Sequence, residues 1–306
     1  MHAVHLALLN VRNTIEPLEQ RREKLLAMIA DAGKSGAQIV LLPEFADHHR
    51  TPEALDSIGR GGREYIRTCG MRSDHKWLAS VADLSRQFNM VTIPVVMLVD
   101  ETGVSDTALV FGPSGSVIGR YDKTHLAPGS EKLWFIPGKS INVIETPYAR
   151  LGICICYDFH FPEISRVQEL GGAQLLFWST MRWDNQEPGL YNYLLPARAI
   201  QHGMPLAVAT YVTDEQRAQR SVLSSTIFNP FGQVLAGGHT EPGVVAAKVD
   251  LDARPLMPRE YGSSEHYDYS SYMRRQRRPE LYASIARPLT DDERDVAKEP
   301  VVHRRK

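Results

Sequence analysis

Residues 151–163 read Leu151-Gly152-Ile153-Cys154-Ile155-Cys156-Tyr157-Asp158-Phe159-His160-Phe161-Pro162-Glu163. An apolar strand runs into Cys156 and a helix opened by Pro162 follows, so the thiol is expected at a strand-to-helix turn. Backbone N–H groups on the helix side of such a turn are unpaired and point outward, where they can stabilise a thiolate and later an oxyanion. A free thiol has a pKa of about 8.5 and is a poor nucleophile at neutral pH, so a site that uses one lowers that value or sets a base beside it. Taken alone, a cysteine at a strand end is more often core than reactive. Cys154, two residues earlier, reads as core, and Cys69 has no supporting context.

Outward from that turn the chain alternates strands and helices. Residues 3–10 read as a strand, followed by a helix with Thr14 as N-cap and a stripe of Ile15, Leu18, Leu25, Leu26 and Ile29. Ile39 to Leu42 is a short buried strand stopped by Pro43, which leaves Glu44 at its C-terminal end. Residues 75–88 carry a second helical stripe and 91–99 another strand. Pro113, Ser114 and Gly115 mark a hairpin turn whose second strand ends just before Lys123. The Gly- and Pro-rich stretch 124–140, with Trp134 and Phe135, reads as an ordered loop. Further strands are expected at 141–144, 175–178, 206–211, 222–228, 234–236 and 244–249, with a helix ending at Gly203 that Pro196 either opens or kinks. This is an α/β pattern with helices on the outer faces of sheets, and periodicity leaves open whether there is one sheet or two.

Composition narrows the function classes. Hydrophobic residues at 43% and charged residues at 23% of 306 exclude a disordered chain and allow a large core. A formal net charge of -1 gives no bulk field for phosphate backbones. The basic runs from Arg274 to Arg278 and Arg304 to Lys306 read as a solvated helix face and a frayed tail, so no nucleic-acid partner is expected. Three cysteines without a C-x-x-C pair argue against a disulfide framework or structural zinc, and point to a reducing, cytoplasmic setting. No apolar run approaches the roughly 20 residues that span a bilayer, and the first strand has no signal-peptide pattern, so no membrane partner is expected.

Six motifs then fall in one order: Leu41-Leu42-Pro43-Glu44-Phe45; Gly119-Arg120-Tyr121-Asp122-Lys123-Thr124-His125-Leu126; Gly152 through Asp158 with Phe161-Pro162-Glu163; Ala197-Arg198-Ala199-Ile200; Ser225 to Gly232; and Arg277-Arg278-Pro279-Glu280-Leu281-Tyr282. Over nearly the whole chain this resembles the nitrilase, or carbon-nitrogen hydrolase, superfamily. The resemblance implies a four-layer αββα sandwich over residues 1–287, with 288–306 as an oligomer-contacting or flexible tail. It also implies no metal or other cofactor, and a homodimer or larger homo-oligomer. Residue by residue, it implies Cys156 as nucleophile, Glu44 as general base, and Lys123 with the Tyr157 backbone N–H as stabilisers of the tetrahedral oxyanion. A further glutamate that positions the substrate nitrogen or the attacking water aligns with Glu131.

The implied roles suit an amide. Attack by sulfur on the carbonyl needs a base for the thiol proton, and Glu44 in an apolar setting would have its pKa raised toward useful values. The same carboxyl returns the proton to the leaving amine, and water then hydrolyses the thioester. Trp134, Phe135, Trp178, Thr180, Met181, Arg182 and Trp183 lie in segments that line the pocket mouth in the family. Among these, Trp134, Thr180 and Arg182 are candidate substrate contacts. Arg182 offers a bidentate partner for a carboxylate, against the simpler role of a surface arginine. His160 stands where many relatives carry arginine, and either contacts substrate or sits behind it as a neutral histidine. His48 and His49 have no second ligand pair at metal spacing, so a metal site is not expected.

The expected activity is cysteine-dependent hydrolysis of a small carboxamide or N-carbamoyl compound. The stretch Glu131 to Gly138 resembles the corresponding loop of carbamoyl-amine hydrolases. Nitrile hydrolysis fits less well, because nitrilases usually carry tryptophan where Tyr157 stands. Two other readings are a non-catalytic scaffold, which would have lost one of Glu44, Lys123 and Cys156, and a papain-like pair using His125 or His160.

Overall fold

Alternate residues along a strand face opposite sides of its sheet. In the computed structural model, which describes residues 2–12, 14, 16–48, 65–128, 131–181, 190–212 and 224–294, that alternation sorts the apolar side chains into three cores. The strands of the two large sheets are β1 (Ala3–Asn10), β2 (Ile39–Glu44), β3 (Val91–Asp100), β4 (Gly103–Phe111), β5 (Val117–Asp122), β6 (Val143–Glu145), β7 (Arg150–Ile155), β8 (Leu175–Ser179), β9 (Leu206–Ala209), β10 (Thr226–Phe228), β11 (Val234–Ala236) and β12 (Gly243–Asp250). Among the described residues they form two six-stranded sheets, ordered β12-β1-β2-β3-β4-β5 and β11-β10-β9-β8-β7-β6. The main helices are α1 (Leu18–Lys34), α2 (Lys76–Gln87), α3 (Glu131–Trp134), α4 (Pro162–Leu170) and α5 (Leu190–His202).

In the central core, Leu6, Leu8, Ile39, Leu41 and Ile93 of the first sheet meet Leu151, Ile153, Ile155, Phe177 and Ala207 of the second. Their neighbours point the other way. Ala7, Leu9, Val40 and Leu42 pack on Leu25 and Ile29 of α1 and Trp77 and Val81 of α2. Cys154, Leu176, Trp178, Leu206 and Val208 pack on Ile164 of α4 and on Leu195 and Ala199 of α5. Three apolar layers separate four structural ones, so the fold is the αββα sandwich that the resemblance implied. A one-residue slip would exchange the two faces of a strand. With each fully buried Leu or Phe worth about 1.5–3 kcal/mol, the register is tightly fixed.

Several boundaries differ from the sequence reading. Helix α1 starts at Leu18 behind Pro17, not after Thr14. The Thr14 hydroxyl donates to the Glu16 carboxylate at 3.2 Å, and the Thr14 carbonyl accepts from Arg21 at 3.3 Å. The buried face of α1 carries Arg21 and Arg22. Arg21 donates to the Ala46 carbonyl at 2.6 Å and Arg22 to Asp47 at 3.2 Å, so these guanidiniums anchor the segment after β2. Strand β2 continues through Pro43, Pro196 lies inside α5, and the loop after Lys123 contains α3. Ile15, His49, Gly129, Ser130, Arg182, Trp183, Val222 and the basic run Arg304 to Lys306 lie outside the described residues. Among those described, no helix is long and apolar enough to cross a membrane.

Candidate active site

Strand parity alone would point Glu44 and Cys156 away from each other. On β2 the even-numbered Val40 and Leu42 face the helices, and Glu44 would join them. The pairing with β3 shifts register between Leu41 and Glu44, and Phe45 has φ +55°. This irregularity turns the carboxylate toward Lys123. On β7, Cys154 faces α4 and Cys156 would follow it, but Cys156 has φ +45° and packs against the central core instead. Left-handed non-glycine backbone costs about 1–3 kcal/mol per residue, and here it aims the thiol. Cys156 opens a 3₁₀ turn, Cys156–His160, and α4 begins only at Pro162. The thiol therefore stands at a strand-to-3₁₀ junction, not directly at a helix.

Lys123 immediately follows β5 and is fully buried. Its Nζ lies 2.9 Å from Glu44 Oε1, 2.8 Å from Glu131 Oε2 and 3.3 Å from Asp106 Oδ2. Burial would lower its pKa, but Glu44, Cys156, Asp106 and Glu131 outweigh that and hold the ammonium well above the usual lysine value. Glu44 Oε2 accepts the Met181 backbone N–H at 2.6 Å, and the Tyr211 hydroxyl donates to the Glu44 carbonyl at 2.9 Å. The setting of this carboxylate is thus polar, where the sequence reading expected an apolar one. Glu131 opens α3 and accepts the Ala127 N–H at 2.9 Å.

Burial pushes the Cys156 thiol well above its ordinary pKa; Glu44 and Glu131 add to the rise, while Lys123 and a hydrogen bond with Thr180 oppose it. The resting thiol is protonated at neutral pH. Of the two routes to a reactive cysteine, the arrangement offers a base alongside, not a depressed thiol pKa.

Three contacts fix the turn that carries the thiol. Asp158, fully buried, accepts at Oδ2 from the Ile155 N–H (3.1 Å) and the Tyr121 hydroxyl (2.8 Å). Its Oδ1 accepts from the Thr124 N–H (3.2 Å), the Thr124 hydroxyl (2.9 Å) and the His125 N–H (2.8 Å). One carboxylate therefore ties the Cys156 turn to the residues just after Lys123. Arg198 donates to the Phe159 carbonyl at 3.2 Å and lies over the Phe159 ring. The Trp178 indole N–H donates to the Cys156 carbonyl at 2.9 Å. Trp178→Phe removes that donor and is expected to cost about 1 kcal/mol, seen as a melting-temperature drop of about 2 °C. An unchanged melting temperature would mean that the carbonyl finds another donor.

Glu44, Lys123, Glu131 and Cys156 are therefore brought together as expected, and Thr180, buried and with its N–H bound to the Ala209 carbonyl at 3.0 Å, joins them at the thiol. Tyr157 is partly buried, its ring 5.2 Å from that of His160 and edge-on to Phe161. His160 Nε2 lies 3.2 Å from the Tyr191 hydroxyl, and burial, with Arg198 nearby, lowers its pKa and keeps it neutral. His125 Nδ1 is 2.9 Å from the Thr124 hydroxyl and 3.3 Å from Asp158. Trp134 is partly buried beside Phe135, which stacks on Phe45. Phe135, Trp178 and Met181 depart from expectation: at 8%, 1% and 5% exposure they belong to the outer cores, not to a pocket mouth. Arg182 lies outside the described residues.

Two residues of the cluster were not singled out from sequence. Asp106 shares a strand face with Ala108 and Val110 of the central core. Parity along β4, read strictly, would have flagged a carboxyl on an apolar face. Asp158 stood inside a quoted motif, but four of its five donors come from one distant segment, Tyr121 to His125.

The chain belongs to the carbon-nitrogen hydrolase family, whose model matches residues 5–257. Omega-amidase NIT2 of Xenopus tropicalis is 29% identical over 273 residues, covering 84% of this chain and 88% of the relative. The Bos taurus omega-amidase NIT2 is 30% identical over 233 residues, covering 73% and 80%. Among solved structures, Saccharomyces cerevisiae Nit3, a member of branch 10 of the nitrilase superfamily, matches with a TM-score of 0.71 at 19% identity over 82% of this chain and 92% of that one. An amidase from Nesterenkonia sp. matches with a TM-score of 0.69 at 22% identity over 92% and 96%. Family and relatives support amide hydrolysis in general.

Proposed function

We infer that this chain hydrolyses the C–N bond of a small linear carboxamide through a thioester on Cys156, releasing ammonia. The observation that carries the reading is the convergence of Glu44, Lys123 and Cys156 from three strand ends on one buried cluster. Glu44 takes the thiol proton as sulfur attacks the carbonyl carbon. Lys123 and the Tyr157 N–H stabilise the oxyanion that forms. The C–N bond breaks as Glu44 returns the proton to nitrogen, and ammonia leaves. Glu44 next deprotonates a water whose oxygen attacks the thioester; the C–S bond breaks, the acid is released and Cys156 recovers its proton. Glu131, fixed by Lys123 and the Ala127 N–H, positions the substrate nitrogen or that water.

N-carbamoyl compounds are a second substrate class for the same chemistry, favoured by the resemblance of the loop Glu131 to Gly138. Omega-amidase relatives favour the carboxamide. A Cys–His pair is disfavoured because the contacts of His125 and His160 are to Thr124, Asp158 and Tyr191.

Ammonia release measured across primary amides, N-carbamoyl amines and N-carbamoyl amino acids separates the classes. Mass spectrometry after brief exposure to a turned-over substrate is expected to localise an acyl adduct to Cys156. No ammonia from any member of the panel, or labelling spread evenly over Cys69, Cys154 and Cys156, would refute the reading.

A further inference from the structure

Asp106 is a buried carboxyl that the reaction above does not use. It lies on β4 with no solvent contact at its side chain. The ionisable groups around it come from four other elements: Glu44 at the end of β2, Lys123 after β5, Glu131 at the start of α3 and, across the lysine, Cys156 after β7. Lys123 Nζ is 3.3 Å from Asp106 Oδ2, but its shorter contacts go to Glu44 and Glu131. Among the described residues, neither Asp106 oxygen receives a hydrogen bond from a donor group. Its hydrogen-bonding neighbour is the Glu44 carboxyl. Two facing carboxyl groups have no donor between them unless one carries a proton.

Counting charge leads to the same place. Three carboxylates around one ammonium would leave two negative charges among buried side chains, and an unpaired buried charge takes up a proton instead. Asp106 has the weakest hold on the ammonium. Burial first, then Glu44, raise its pKa well above the ordinary carboxyl value, and Lys123 offsets only part of this.

We propose that Asp106 is a positioning residue that stays in its acid form and donates a hydrogen bond to Glu44, leaving Glu44 and Glu131 as the two carboxylates that share Lys123. The acid fixes the orientation of Glu44 and removes a like charge from beside the group that must accept the thiol proton. As pH rises, Asp106 ionises and that support is lost, so it sets an alkaline limit on turnover. No covalent bond to Asp106 forms or breaks.

The test has a spectroscopic arm, independent of turnover, and a kinetic arm that rests on the amide-hydrolysis reading. At neutral pH, infrared spectra of the wild-type protein are expected to contain the carbonyl stretch of a protonated carboxylic acid, shifted in D₂O and lost in Asp106→Asn. A band that is missing from the wild type, or that survives in the variant, overturns the proposal. Asp106→Leu, which has no donor, is expected to lower kcat about 100-fold with KM little moved. Asp106→Asn, a neutral donor of the same shape, is expected to recover about tenfold of that loss and to move the alkaline limb upward. If Asn performs no better than Leu and the limb stays in place, Asp106 is packing alone. Absence of turnover in the wild type would sink the amide reading, and the infrared band would still decide Asp106.

Discussion

Cys156→Ala is expected to lower amide hydrolysis by about 10⁴-fold or more, with the protein still folded. The size follows from what is lost: without sulfur no thioester forms, and Glu44 and Lys123 can only activate water and polarise a carbonyl. Stability should hardly fall. Only a Sγ atom is removed, and alanine meets the same left-handed backbone as cysteine. Glu44→Gln is the companion. It keeps the thiol but removes its base, and about 10²–10⁴-fold is expected. The two effects should not add, because the groups act on one proton. Steady-state kinetics on the best amide, with melting curves for each variant, checks both. Near wild-type turnover in Cys156→Ala would end the mechanism; substantial activity in Glu44→Gln would return attention to the histidines.

Asp158→Ala should be the most damaging substitution for the fold near the site. It leaves the Ile155, Thr124 and His125 N–H groups and the Tyr121 hydroxyl without their acceptor in a buried place. Removing one partner of such a network costs about 3–5 kcal/mol. Against a total of about 5–15 kcal/mol for a typical protein, that is a large fraction of the margin. Urea unfolding is expected to show a lower midpoint at a similar slope, with Asp158→Asn recovering part of the loss through its remaining carbonyl oxygen. A stability loss of only a few tenths of a kcal/mol would mean that water replaces the carboxylate and that the turn is held by Arg198 and Trp178.

These two residues also illustrate what a linear reading reaches. The turn at Cys156 was legible because an apolar strand, a cysteine and a proline-opened helix are all local, but a lone cysteine there reads as core, and only the ordered motifs of the resemblance supplied its role with those of Glu44, Lys123 and Glu131. Strand positions were legible for the same reason: short apolar runs bounded by Gly and Pro have few alternatives. The start of α1 was not, because buried Arg21 and Arg22 look like solvent-facing charges until the carbonyl of Ala46 and the carboxylate of Asp47 are seen beside them. The resemblance puts Trp178 in a segment that lines the pocket mouth in the family, while parity with Leu176 puts its side chain under the helices. Asp106 and Asp158 gain their meaning from partners many residues away. The register shift at Glu44 is likewise invisible in composition, since Pro43 reads equally well as a strand stop.

Ser179 donates to the Leu42 carbonyl, and Met181 and Tyr211 donate to Glu44, so the second sheet grips the first at the end that carries chemistry. The proposed base, Glu44, and the proposed nucleophile, Cys156, sit on opposite sides of that grip, which makes their separation a measure of how well two slabs are seated. Side chains deep in the shared interior, such as Phe177 and Ile93, are thereby expected to influence turnover without approaching a substrate. Conservative repacking there could leave a well-folded molecule whose machinery is slightly out of alignment.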